Sequence, residues 1–271
     1  MSPTLILKAP DVAVVTGASA GLGRVFAVEL ARLGTSVTVV ARREAELLET
    51  VRLVEAEGVA CEMVVGDVSE PGVAERAVAQ TEARFARVDL LVNNAGVMYI
   101  ASVEEADPDA WWQSMKINVL APMLWARAVL STMRAQRSGR IINISSAGAF
   151  TQHPHGSAYC AAKAAINQLT SCLAAEVATD GIAVLSFGPE GLTDMSRQLF
   201  EDPAMPIELR NAYRGFFMSD PDEMLRHSIE LFRFLAQGGG DALTGQYVGR
   251  QLEHFDSAVT INQRDSADPA G

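Results

Sequence analysis

The chain has 271 residues, 49% of them hydrophobic and 20% charged, with a formal net charge of −11. That length and apolar content suit one large α/β domain over residues 1–271 and exclude a chain that is disordered throughout. The acidic balance argues against nucleic acid or an anionic membrane as partner.

No stretch reaches the length of a transmembrane helix, and the opening MSPTLILKAP lacks the apolar core of a signal peptide. Cys61, Cys160 and Cys172 are odd in number and not spaced as metal ligands. They imply no disulfide framework and no metal site, and a reducing cytoplasm is the expectation. The valine-rich run 11–16 predicts a first strand, followed by a Gly-rich turn and a helix over 22–33. Residues 36–41 predict a second strand and 43–57 a charged amphipathic helix that stops at Gly58. A strand over 59–65, a helix over 71–85 and a strand over 88–92 follow. The region 108–135 reads as one long helix that Pro122 bends. A strand over 140–144, an Ala-rich helix over 157–178 and a strand over 182–187 complete the regular pattern. These strands are continuous apolar runs, the pattern of a parallel sheet covered on both faces. Helical fragments are expected over 193–200 and 207–217, a helix from Asp220 to Ala236, a last strand over 242–248 and a frayed tail over 257–271.

The first turn, Gly17, Ala18, Ser19, Ala20, Gly21, Leu22, Gly23, follows a strand and opens a helix. Glycines allow a sharp turn and a close approach to phosphate, and the helix start offers N–H groups and a positive dipole end. The second strand ends Ala41, Arg42, Arg43, where an adenosine ribose lies in such a topology. No acidic residue stands there to accept the 2′-hydroxyl of NAD, and Arg42 offers a planar fork to a 2′-phosphate, which favours NADP(H) over NAD(H). The alternative is that Arg42 and Arg43 form a solvated helix start paired with Glu44 or Glu46. Asp67, in Gly66, Asp67, Val68, offers an acceptor to an adenine amino group or a turn-capping carboxylate.

The stretch from Ser146 to Lys163 carries the chemistry. Tyr159 and Lys163 are four apart in a predicted helix, so they share a face. A free Tyr ionises near pH ~10; working near neutrality takes about 4 kcal/mol of phenolate stabilisation. A unit charge about 4 Å away supplies about that much at an effective dielectric near 20. A Tyr so tuned acts as general acid or base on an alcohol or carbonyl.

With TGASAGLG, GDV, NNAG, Asn118 in KINV, Ser146 and YCAAK in this order, the sequence resembles the short-chain dehydrogenase/reductase family over residues 12–195. The resemblance implies a single Rossmann-type domain with a doubly wound, seven-stranded parallel sheet. It implies a cofactor part over about 10–150 and a catalytic and substrate part over about 140–250. Tyr159 would be the acid/base, Lys163 would lower its pKa and bind the nicotinamide ribose, and Ser146, rather than Ser145, would orient the substrate. Asn118 would hold a proton-relay water through a local break in its helix. Ser19, Gly21 and Leu22 would meet the phosphates, and Asn94, Ala95 and Gly96 the adenosine ribose. Members commonly carry Pro-Gly and then a carboxamide-binding Thr after the sixth strand; here Pro189 is followed by Glu190, and Thr193 comes one residue early.

The substrate would lie under residues 190–218, whose Leu192, Met195, Leu199, Phe200, Met205, Tyr213, Phe216, Phe217 and Met218 suit an apolar or aromatic carbonyl or alcohol. His153 and His155 are candidates for the pocket mouth. The resemblance implies a homodimer or homotetramer. Two readings stand beside an NADPH-dependent reductase: a non-catalytic NADP(H) sensor or scaffold, and a dehydratase or isomerase that uses Glu190.

Overall fold

The computed structural model describes residues 7–191, 193–201 and 205–249. Seven strands form one sheet: β1 (Val12–Thr16), β2 (Ser36–Ala41), β3 (Cys61–Val65), β4 (Leu90–Asn93), β5 (Gly139–Ile144), β6 (Ile182–Gly188) and β7 (Tyr247–Gly249). Every neighbouring pair is parallel, in the order β3-β2-β1-β4-β5-β6-β7. Parallel strands need crossover connections, and helices supply them. They are α1 (Gly21–Arg32), α2 (Glu44–Ala56), α3 (Val73–Phe85), α4 (Pro108–Met115), α5 (Ala121–Gln136) and α6 (Ser157–Glu176). Beyond β6 come α7 (Asp194–Glu201), α8 (Ile207–Ser219) and α9 (Pro221–Ala236).

The continuous apolar strands are buried on both faces, as the expected doubly wound fold requires. Val15, Val39, Val92, Ile142 and Leu185 join a core with Phe26 of α1 and Phe232 of α9. Those two rings stack at 4.1 Å between centroids, with Phe187 of β6 beside them. Val14, Val40, Leu91, Ile141 and Val184 point the other way, into a core with Trp125, Val129 and Met133 of α5 and Leu173 of α6. The alternation follows from the two-residue period of a strand. Polar links cross the same interior: Asn93 Nδ2 donates to Asn143 Oδ1 at 2.9 Å, and Asn143 Nδ2 to Thr170 Oγ1 at 2.9 Å.

The long helix over 108–135 is not merely bent: a wider π turn at Lys116–Leu120 interrupts it, at the local break the resemblance implied around Asn118, and the Ala121 N–H reaches back to the Lys116 carbonyl. Pro122, with no N–H to give, cannot continue a regular ladder there. The last strand is shorter than the run 242–248: Asp241–Leu243 forms a 3₁₀ turn, and pairing begins at Tyr247. Gly245 intervenes with φ 84°, a conformation that interrupts an extended run. The tail over 257–271 lies outside the described residues. Among the described residues no helix is long and apolar enough to cross a membrane, and no group of three or more His, Cys, Asp or Glu stands ready to hold a metal.

Candidate active site

A cleft of about 680 Å³ opens at the carboxyl ends of β1, β4, β5 and β6. It straddles the β1–β4 pair, where the strand order reverses and crossovers leave opposite faces of the sheet. At one end stands the turn between β1 and α1. Gly17 has φ 67°, and a Cβ there would lie 2.7 Å from Ala95 Cα. A Cβ on Gly23 would lie 2.3 Å from the Gly17 carbonyl oxygen. A side chain at Gly17 would collide with the end of β4, and one at Gly23 would push α1 off the turn. Thr16 laces the neighbouring strand end to it: its hydroxyl accepts from the N–H groups of Asn94 (3.0 Å) and Ala95 (3.1 Å), while Asn94 Nδ2 donates to the Thr16 carbonyl at 2.9 Å. Asn94 therefore joins the two strand ends as well as lining the cleft.

Helix α1 begins with no side-chain cap and no acidic residue in its first turn. Its first N–H groups, from the cleft-lining Gly21, Leu22 and Gly23, are left for an anion. Arg43 Nη2 donates to Ser19 Oγ at 3.1 Å and lies 3.6 Å, through Nη1, from Glu46. Arg42 Nη1 is 3.4 Å from Asp67 Oδ2. Asp67 Oδ1 accepts from the Ser69 N–H at 2.9 Å and hydroxyl at 2.7 Å, which is a turn-capping arrangement. Burial pushes the Asp67 carboxyl up, but the Ser69 hydrogen bonds and the Arg42 charge outweigh it and hold the group below its usual range. Arg42, Arg43, Asp67 and Val68 all border the cleft. A Gly cradle, an uncapped helix start and two arginines fit a dinucleotide phosphate and its ribose.

The other end holds the Ser, Tyr and Lys. Ser146 follows β5, lines the cleft, and its Oγ accepts from the Gly148 N–H at 3.1 Å. Ser145 Oγ lies 3.4 Å from the Lys163 carbonyl, tied to α6. Of the two serines, Ser146 is the one that acts on the Tyr159 hydroxyl, pulling its pKa down. Lys163 is 5% exposed, its Nζ 5.4 Å from the centre of the Tyr159 ring and 2.8 Å from the Ile144 carbonyl to which it donates. Burial lowers its pKa to about 8. Burial raises the Tyr159 phenol, against the hydrogen bond from Ser146, and the nearby Cys160 raises it further.

The π turn carries Asn118 to the cleft floor. Its Nδ2 donates to the Val97 carbonyl (2.9 Å) and to Ser114, and its Oδ1 accepts from the Val97 N–H at 3.3 Å. Pro189 and Thr193 line the cleft, but Thr193 is also the cap of α7, accepting from the Ser196 N–H at 3.2 Å.

His153 lines the cleft, with Nε2 at 2.6 Å from Thr151 Oγ1 and Nδ1 hydrogen-bonded to the Tyr213 hydroxyl of α8. His155 and Glu190 do not line it. His155 adopts φ 65° and its carbonyl accepts from the Ala101 N–H at 2.9 Å; the Glu190 peptide is bound to Ser228 of α9. Leu192 lies outside the described residues. Of the expected apolar roof, Met195, Met205, Tyr213 and Phe217 line the cleft, whereas Phe216 and Met218 are exposed.

Sequence reasoning missed Met98 and Ile100, apolar residues just past the carboxyl end of β4 that also border the cleft. Cys160, read from the sequence only as a thiol outside any disulfide or metal site, also borders the cleft next to Tyr159 in the chain. Position next to a cleft-facing residue near a helix start was the available signal.

The sequence profile described as short chain dehydrogenase matches residues 11–204. The chain belongs to the short-chain dehydrogenase/reductase family of oxidoreductases. It is 41% identical over 177 residues to a short chain dehydrogenase of Pseudocercospora fijiensis, a match covering 65% of this chain and 57% of the fungal protein. Among solved structures it is similar to an NAD⁺-bound xylitol dehydrogenase, with TM-score 0.81 and 25% identity over 89% of this chain and 97% of that one. It is also similar to the gluconate 5-dehydrogenase of Burkholderia cenocepacia J2315 in complex with NADP and tartrate, with TM-score 0.76 and 29% identity over 89% and 93% of the two chains. Of these two structural neighbours of the short-chain dehydrogenase, one is bound to NAD⁺ and the other to NADP.

Proposed function

We propose that this short-chain dehydrogenase interconverts a ketone and an alcohol with NADP(H). The observation that carries the reading is that Ser146, Tyr159 and the buried Lys163, its Nζ 5.4 Å from the Tyr159 ring centre, share one cleft with the uncapped start of α1. A bound nicotinamide would supply or accept the hydride. Tyr159 passes the proton to the carbonyl oxygen in reduction, or takes it from the alcohol in oxidation. Ser146 orients that oxygen from the opposite side. Lys163, cationic below about pH 8, favours the phenolate when the proton has left and stands ready for the nicotinamide ribose. Asn118 holds the cleft floor at Val97 and positions a relay water next to Lys163.

NADPH is favoured over NADH by Arg42 and Arg43 at the end of β2, where no carboxylate stands for a ribose 2′-hydroxyl. Arg43 is the better placed of the two, since it already reaches Ser19 on the phosphate turn while Arg42 is engaged by Asp67. The wall formed by Met195, Met205, Tyr213 and Phe217 suits an apolar or aromatic carbonyl substrate. Assembly as a homodimer or homotetramer, in a reducing cytoplasm that keeps Cys61, Cys160 and Cys172 as thiols, completes the reading.

Titration of the purified protein with NADPH and with NADH, followed by nicotinamide fluorescence, tests it. The expected result is binding of NADPH at least about tenfold tighter than NADH, since one charge-assisted contact contributes ~1.5–3 kcal/mol. A ketone panel with NADPH should then show turnover that Tyr159→Phe lowers by about 10²–10⁴ while NADPH binding is retained. Equal affinities would remove the arginine argument. Turnover that survives Tyr159→Phe would remove the catalytic one, and tight NADPH binding with no turnover across the panel would favour a cofactor sensor.

A further inference from the structure

Ser228 lies in the middle of α9 and is 3% exposed. Serines inside helices commonly bond back to their own helix; this one bonds across. Its Oγ accepts from the Glu190 N–H at 2.7 Å and donates to the Glu190 carbonyl at 2.7 Å, so one hydroxyl takes both polar groups of that residue's backbone. One turn earlier Leu225 supports Gly191, 3.5 Å from where a Cβ would stand. At the far end Ser196 of α7 accepts from the Thr193 N–H at 2.7 Å and donates to the Thr193 carbonyl at 2.9 Å. Glu190 and Thr193, on the chain that leaves β6, are thus each clasped by a serine.

Pro189, Gly191 and Thr193 line the cleft, while Glu190, between two of them, does not. Alternation of this kind belongs to extended chain, and a slip of one residue exchanges the two sides. In that slipped register the Glu190 carboxylate would border the cleft in place of Pro189 or Gly191. The clasp by Ser228 fixes the register that keeps it out.

We propose that Ser228 is a positioning residue: by holding the Glu190 peptide it sets the register of the chain that leaves β6 and so shapes the nicotinamide end of the cleft. The inference rests on the dinucleotide reading above. The test separates the two halves of the cofactor. NADPH and 2′-phospho-ADP-ribose, which lacks the nicotinamide, are titrated into the full chain as wild type, Ser228→Ala and Ser228→Thr. Ser228→Ala should weaken NADPH about tenfold, the scale of losing one to two buried hydrogen bonds, and leave 2′-phospho-ADP-ribose within about twofold. Ser228→Thr, which keeps the hydroxyl, should recover most of the NADPH affinity. Equal weakening of both ligands, loss of both, no change in either, or no recovery in Ser228→Thr would each overturn the positioning role. A wild-type protein that binds neither NADPH nor NADH would instead overturn the dinucleotide reading on which the role depends.

Discussion

Lys163 shows how a single residue couples stability to chemistry. Its ammonium is buried and its pKa falls from the ordinary 10.5 to about 8. At neutral pH the folded protein therefore keeps a desolvated charge at a cost of about 3 kcal/mol. Lys163→Met removes that cost but leaves the Ile144 carbonyl without its donor, which costs about 1 kcal/mol. The variant should be more stable than wild type by about 1–2 kcal/mol at pH 7 and catalytically inert. The sign follows from linkage: the folded-state pKa lies below the unfolded one, so between pH 8 and 10.5 the unfolded chain binds more protons and wild-type stability rises with pH. The advantage of Lys163→Met should be constant below about pH 8 and shrink toward pH 10.5, as urea denaturation at several pH values would show. An advantage that grew with pH would contradict the buried ammonium.

At the scale of elements, the packing of α1 on the β1 turn is the critical joint. Gly23→Ala would set a methyl 2.3 Å from a backbone oxygen that cannot yield as a side-chain tip can. Overpacking of this kind costs about 1–3 kcal/mol, and the phosphate end of the cleft should lose NADPH affinity with it. Gly34→Ala is the control: φ 85° makes it strained, yet no atom lies within 4 Å of the added carbon and it does not line the cleft. It should lower the melting temperature and leave NADPH binding unchanged. Comparable loss of binding in both would mean that the turn is no closer to the cofactor than the α1–β2 connection. The π turn that delivers Asn118 belongs to the same scale. Pro122 in the sequence signals a disturbed helix, but a kink and a π turn satisfy that signal equally; the Asn118 bonds to Val97 and Ser114 distinguish them.

The whole molecule carries a net charge of −11, yet Arg42 and Arg43 line its cleft where an anionic cofactor would enter. Raising salt from about 0.1 M to about 1 M shortens the screening length from about 10 Å to about 3 Å. NADPH, with its extra phosphate, should lose more affinity over this range than NADH, and Arg43→Gln should bring the two salt dependences together. Identical dependences in the wild type would mean that the arginines do not meet the 2′-phosphate.

The order of strands and helices, the parallel sheet, the Gly17 turn and the shared face of Tyr159 and Lys163 were legible in the sequence, because they depend on local periodicity and short spacing. The same holds for Arg42 and Arg43 at the end of β2. Ser146 over Ser145 came only from the family resemblance. Contacts distant in sequence were not legible. Tyr213 meets His153 across 60 positions and Ser228 clasps Glu190 across 38, and no periodicity encodes either pairing. The sense of the Tyr159 shift belongs with them. Spacing on a helix placed a cation on the face of the phenol, but only the packed interior shows how deeply the phenol is buried, and that burial raises its pKa. The sequence by itself determined which elements form and which chemical groups gather at the strand ends. The tertiary structure alone decided whether Glu190, His155 or Cys160 borders the cleft, because that depends on how a loop is clasped by helices far along the chain.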